Sequence, residues 1–344
     1  MRALSSRPIL YMYTFFAIGL AGCASETVTR PPPPPVDWAS LEQRPPPPDA
    51  GPPTATAKER GATQAYLAAL ASPDFATLAG VLDEDAHFSF AGFKDVFGRN
   101  NVARAHKALF DAYESRNFVA NRVLMTDSSQ VVEWIMTGVH KTTKKDVAFR
   151  GLSLLWTKDD GEISNVRLYF DEFAASAQVG FGPKALRALP RALASSEPRE
   201  EVDQKGSAEE SANVAIVRSA LDAFESGNAN AYADAMADDV EVTTLESAEP
   251  VRGKAQARAH VKAMHKSVAE LDVVMDNAWG IGPFVVAEYH MVGEQRGPIG
   301  VVPAQKDNLF KMYIVDVIEF REGKIAKIRR YDNPAQILAT PMRE

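Results

Sequence analysis

Hydrophobic and polar positions divide the chain into an apolar start, a stretch without period, and two long segments in which helical spacing gives way to alternation. Ala62–Leu70 carries Ala65, Leu67 and further alanines at helical spacing, and Ala215–Phe224 carries Ile216, Ala220 and Phe224. At Ser72-Pro73-Asp74 a second helix opens, with Ser72 as cap and Pro73 where a missing N–H costs nothing; Asn228-Ala229-Asn230 plays the same part later. Another helix is predicted over 102–113 and over 255–265. Strands then dominate: 118–125, 130–139, 147–158 and 163–171, followed in the second segment by 271–279, 284–292, 309–320 and 325–332. Asp160-Gly161 and Glu322-Gly323 read as hairpin turns. Helices followed by an antiparallel meander predict an α+β domain with its helices on one side of a sheet.

The two segments repeat each other, and repeats decide architecture before any other feature. Val131-Val132-Glu133-Trp134 runs on to Gly138, and Val285-Val286-Ala287-Glu288-Tyr289 to Gly293, with the same separation from aromatic to glycine. Gly161 leads to Arg167 and Tyr169 as Gly323 leads to Arg329 and Tyr331. Upstream, Gly98 precedes Arg104-Ala105-His106 and Gly253 precedes Arg258-Ala259-His260, with spacings that differ by one residue. These landmarks define copies at 57–182 and 209–344. In the connector, 183–208, Pro183 to Leu193 predicts a short helix and the rest a charged, serine-containing linker.

The order helix, helix, short strand, helix, long antiparallel strands resembles the nuclear-transport-factor-2-like fold. Within that fold it is most similar to the SnoaL-like branch of polyketide cyclases and ketosteroid isomerases. The likeness is carried by Tyr169-Phe170-Asp171 leading to Gln178-Val179-Gly180, and by Ile314-Val315-Asp316-Val317 leading to Gly323-Lys324-Ile325. It implies two tandem cone-shaped domains, each a curved antiparallel sheet closed by N-terminal helices. Such domains commonly pair sheet to sheet, which implies that the copies pack as a pseudo-dimer within one chain. The fold hosts isomerases, cyclases, dehydratases, epoxide hydrolases and non-catalytic binders, so it leaves activity open.

At the N-terminus, Arg2 and Arg7 precede Pro8–Leu20, which is apolar apart from Thr14 and two tyrosines, and small residues lead to Cys23. This is the anatomy of a cleaved export signal, and its apolar run is too short for the ~20 residues that span a bilayer. Leu20-Ala21-Gly22-Cys23 resembles the lipobox of bacterial lipoproteins. That resemblance implies removal of residues 1–22 and acylation of Cys23, palmitate included, as a membrane anchor. Ala24 stands where an aspartate would be the inner-membrane retention signal, which implies the outer membrane, periplasmic face. Residues 23–56 hold proline runs at 31–35 and 45–48 with Pro52 and Pro53 after them, a composition that favours extended polyproline geometry. The stretch is a spacer reaching roughly 100 Å at ~3.1 Å per residue, a loose tail, or a proline-motif ligand.

Composition narrows the partners. Net charge is −7 and no Lys/Arg block stands out, which argues against nucleic acid. The single cysteine is committed to lipid, so stability must come from a packed core. Six histidines invite a metal, but His260 and His265 are five apart, about 140° around a helix, and the others are isolated. No phosphate-cradling glycine loop or serine elbow is present, and neither metal nor cofactor is expected.

Proton chemistry beside a carbonyl needs a base inside an apolar cone and a donor for the oxyanion. Asp316 lies in phase with Met312, Ile314, Ile318 and Phe320, and is either that base or a core aspartate bonded to backbone, Arg329 or Arg330. Counting back from the turn glycine places Leu154 opposite it in copy one. Cyclases of the resembling branch carry an acid seven residues past that glycine; here Arg330 and Leu168 stand there. Trp134, Tyr169, Trp279, Tyr289 and Tyr331, with Arg330, suit a flat apolar ligand, or else are ordinary core. The segment 293–300 is a lid over copy two or only a loop. The sequence points to a membrane-anchored binding or accessory module for a small apolar ligand or a protein, with an isomerase, cyclase or dehydratase using Asp316 as the rival.

Overall fold

The computed structural model describes residues 57–72, 75–90, 95–126, 129–181, 200–244, 250–305 and 308–339. The expected export signal with Cys23, the expected proline tether, Pro73 and the expected helix at 183–193 lie outside the described residues. Copy one runs α1 (Ala57–Ala71), α2 (Ala76–Ala79), β1 (Leu82–Phe90), β2 (Val96–Phe97), α3 (Arg99–Phe110), β3 (Tyr113–Met125), β4 (Ser129–His140), β5 (Asp146–Thr157), β6 (Ile163–Phe170) and α4 (Glu172–Val179). A short strand, β7 (Glu200–Asp203), precedes copy two: α5 (Ala208–Glu225), α6 (Ala229–Asp234), β8 (Met236–Thr243), β9 (Val251–Arg252), α7 (Gly253–Ser267), β10 (Val268–Ile281), β11 (Phe284–Gln295), β12 (Asn308–Arg321), β13 (Lys324–Asp332) and α8 (Ala335–Ala339).

The sheets are ordered β2-β1-β6-β5-β4-β3-β7 and β10-β11-β12-β13-β8-β9, so each copy contributes the same four-stranded meander flanked by a parallel strand. Helices cover one face. Tyr66 and Leu70 of α1 and Val102 and His106 of α3 are buried against the inner residues of sheet one, as Val217, Leu221 and Val261 are against sheet two. Local chemistry sets the ends: Ser207 and Glu210 form a reciprocal capping box for α5, and Asp171 caps α4 through the Phe173 and Ala174 amides. These are two α+β domains of the cone-shaped, nuclear-transport-factor-2-like kind.

Three sequence expectations change. The second helix starts at Ala76 behind Phe75, which makes no side-chain cap, rather than behind Ser72, whose N–H bonds Ala68 at the end of α1. The connector is not linker throughout, because β7 adds to the free edge of β3 in parallel register, and Arg60 of α1 ties to Glu201 and Asp203. The turns differ in length. Glu322-Gly323 is a two-residue turn with positive φ at both positions, whereas residues 158–162 separate β5 from β6. Counting back from the glycine therefore slips by one residue between the copies.

The outer faces of the sheets meet in a third apolar cluster that includes Leu124, Val131, Leu152, Leu154 and Tyr169 of copy one with Phe284, Val286, Val315, Val317 and Tyr331 of copy two. Its polar contacts are reciprocal. Glu133 accepts from Arg329 Nε at 2.9 Å and Tyr331 Oη at 2.7 Å. Glu288 accepts from Arg167 Nη1 at 2.6 Å and Tyr169 Oη at 2.7 Å. Arg122 and Asn277, at matching places on β3 and β10, complete the two sets.

Candidate functional site

Alternation along β11, β12 and β13 turns Tyr289, Asp316 and Arg330 into the cone of copy two, with Ala287 and Arg330 directly beside Asp316 in register. Arg330 donates from Nε to Asp316 Oδ1 at 3.0 Å and from Nη2 to Oδ2 at 2.9 Å, a two-pronged pair. Tyr289 donates its hydroxyl to Oδ2 at 2.8 Å and accepts from Arg330 Nη2 at 2.7 Å. All three side chains are buried. Burial works against the Arg330 charge, yet Asp316 and Tyr289 outweigh it and hold its pKa well above the usual arginine value. Burial lifts the Tyr289 phenol well above its ordinary value, with Arg330 opposing.

Two further groups face this trio. Burial pushes Tyr232 of α6 up to about 12, with Arg330 opposing and Asp316 assisting. His260 of α7 is pushed down to about 4, first by burial and then by the Arg330 charge, so its ring is neutral. His260 Nε2 is buried and has no hydrogen-bond partner. In the segment after β11, Ile299 and Val302 bridge each other and are buried in the copy-two core.

Copy one builds the same place differently. Trp134 faces Gly151 across β4 and β5 as Tyr289 faces Ile314, so Ser153 is the counterpart of Asp316. Leu154, the counterpart expected from counting, points to the opposite face and packs in the junction cluster. The Trp134 indole fills the space over Gly151, where an added Cβ would lie 2.1 Å from the ring. Around it stand Phe110, Phe118, Phe149 and Phe170, all with ring centres within 6.3 Å. Trp134 Nε1 donates to Ser153 Oγ at 3.0 Å, and Tyr66 Oη lies 3.4 Å from that oxygen and 3.1 Å from His106 Nε2.

The SnoaL-like domain profile matches residues 63–166 and 217–328, one stretch in each copy. The chain belongs to the SnoaL-like domain family. No curated protein matches it in sequence. Among solved structures, TsrD from Streptomyces laurentii is 21% identical, covering 38% of this chain and 97% of its own, with a TM-score of 0.34. A protein with a ketosteroid isomerase-like fold from Catenulispora acidiphila, in complex with trimethylamine, is 18% identical over 35% of this chain and 92% of its own, with a TM-score of 0.33. An LEH-like epoxide hydrolase from M. tuberculosis is 22% identical over 34% and 84%, with a TM-score of 0.30.

Within the SnoaL-like copies the residues expected to form one aromatic site separate into three places. Asp316, Tyr289 and Arg330 share the copy-two cone. Trp134 is core of copy one and leaves no free edge. Tyr169 and Tyr331 lie on the outer faces, bound to Glu288 and Glu133, and Trp279 meets Trp156 across the same junction at 6.4 Å. The strand period explains the split: Tyr331 is one residue from Arg330 and so points the other way. Glu133 and Glu288 stood in the sequence only as repeat landmarks, though an acid held in two apolar strands is itself a sign of a buried partner.

Proposed function

We propose that the protein is a binding or accessory module whose ligand site is the copy-two cone, with copy one as a filled scaffold. The supporting observation is the state of Asp316. Arg330 and Tyr289 occupy both of its oxygens, whereas a proton carrier needs an oxygen aimed at the substrate. The carboxylate instead anchors Arg330 and Tyr289 within an apolar wall made by Met291, Met312, Ile314 and Ile318. Such a wall with few polar groups suits a small, largely apolar ligand.

In this reading the reciprocal Glu133 and Glu288 contacts make the two copies an intrachain pseudo-dimer. Cys23 carries the acyl anchor at the periplasmic face of the outer membrane, and no nucleic acid is bound. No helix among the described residues is long and apolar enough to cross a membrane. Cys23→Ser is expected to move the protein from the membrane pellet to the soluble fraction; an unchanged pellet contradicts the anchor.

The competing enzyme reading is tested with Asp316→Asn. A binder keeps its ligand-induced rise in Tm, and isomerase, cyclase or dehydratase assays give no turnover for either form. Turnover by the native chain that disappears in a folded Asp316→Asn variant makes Asp316 a proton carrier after all.

A further inference from the structure

The two copies carry one histidine at the same place in the helix that covers the cone, and only one of the pair has its hydrogen bonds made. In copy one, His106 Nδ1 lies 2.9 Å from the Val102 carbonyl oxygen, to which it donates. Nε2 therefore accepts, and the donor is the Tyr66 hydroxyl at 3.1 Å. That hydroxyl also approaches Ser153 Oγ, the counterpart of Asp316, at 3.4 Å. A phenol from α1 thus reaches into cone one and joins the helix histidine to the strand polar group.

Copy two has no phenol on its first helix, and the one that faces the trio, Tyr232 of α6, makes no hydrogen bond to His260 Nε2. Helix α5 contains no tyrosine, and the face it turns to the core carries Val217, Ala220, Leu221 and Phe224. His260 Nε2 is left buried and unpartnered beside the Asp316–Arg330–Tyr289 trio. A buried polar atom without a partner costs about 1–3 kcal/mol, so an unmet one calls for a partner from outside the chain.

We propose that the copy-two cone takes a neutral apolar molecule bearing a hydroxyl, a phenol above all, which hydrogen-bonds His260 Nε2 in the place that Tyr66 fills in copy one. This rests on the cone being the ligand site. Charge balance selects neutrality. Arg330 and Asp316 already neutralise each other, so a carboxylate or ammonium entering beside them would sit in low dielectric without a counter-charge. A hydroxyl donates and accepts, so it satisfies His260 in either tautomer.

The test uses p-cresol, which is the tyrosine side chain itself, with toluene and 4-methylbenzoate as controls. The full chain carries Cys23→Ser so that no detergent is needed, and binding is read by calorimetry. The expected result is one p-cresol per chain, bound about fivefold more tightly than toluene, as one neutral hydrogen bond gives, with no binding of 4-methylbenzoate. In His260→Leu the p-cresol advantage vanishes while toluene affinity stays, which also shows that the cone is folded. Independently, Tyr66→Ala opens the matching place in copy one and raises the stoichiometry to two. Equal affinity for p-cresol and toluene in the native chain, or an advantage that survives His260→Leu, overturns the inference but leaves the cone as an apolar binding site. If neither compound binds, the ligand-site reading falls with it.

Discussion

At Gly151 the shape of one side chain sets how the centre of a whole domain is packed. Trp134 lies against the bare Cα of Gly151, and its ring, with four phenylalanines around it, occupies the centre of copy one. Gly151→Ala forces the indole aside and is expected to cost about 1–3 kcal/mol in urea unfolding, the range for an overpacked core; an unchanged midpoint means the indole has room. Copy two has Ile314 opposite the slimmer Tyr289 and spends its centre on an ion pair instead. Glu133 is another residue that decides much. Burial would push its carboxyl up, but Arg329, Arg122 and Tyr331 together bring it below the usual glutamate value. Glu133→Ala leaves the buried Arg329 with only the longer contact to Glu319, and a loss of about 3–5 kcal/mol is expected by denaturant titration; a loss under about 1 kcal/mol shows that Glu319 or water takes over. Which acid would be structural was not legible from the residue alone, because two partners of Glu133, Arg329 and Tyr331, lie nearly two hundred positions away in sequence.

Elements were read more readily than sites. Alternation located the long strands, and the repeat located both copies, because a period of two is a local property of the chain. Three things escaped. β1 and β8 were expected only as a short strand without residue bounds, since alternation there is weak: β1, Leu82–Phe90, carries consecutive acids at Asp83, Glu84 and Asp85. β7 has four residues, three of them acidic, and becomes a strand only because β3 offers it an open edge and Arg60 a counter-charge. The correspondence of Asp316 with Ser153 required the register across β4 and β5, since turns of unequal length break any count along the chain. Tyr66, Ser153 and His260 gain their meaning only once α1, α3 and the strands are placed together.

At the scale of the whole molecule, the copies are locked by chemistry that responds to pH. Helix α4 begins at the junction: Phe173 packs into the copy-two core, and Glu172 accepts from Asn333 Nδ2 at 2.9 Å. Burial raises Asp171 from 3.8 to about 7, against the Ala174 amide and with the Asp332 charge adding to the rise. A carboxyl whose folded pKa is raised contributes stability that is whole below its unfolded pKa and is lost as pH rises through the folded one. Between about pH 4 and pH 7 this term falls as pH rises. Asp171→Asn keeps a competent helix cap and removes the proton, so its stability should show a flatter fall over that window than the parent; parallel curves would mean Asp171 does not titrate there. On the proposed reading the duplication divides labour: copy one has a solid aromatic core, copy two a cone in which His260 Nε2 is unmet, and the two are joined face to face. Methyl NMR of methionine tests that division most directly, since Met136 lines the inside of copy one and Met291 and Met312 that of copy two. On addition of p-cresol, the Met291 and Met312 methyl signals should move and the Met136 signal should stay; a shift of Met136 matching theirs, or one at Met136 alone, contradicts the account.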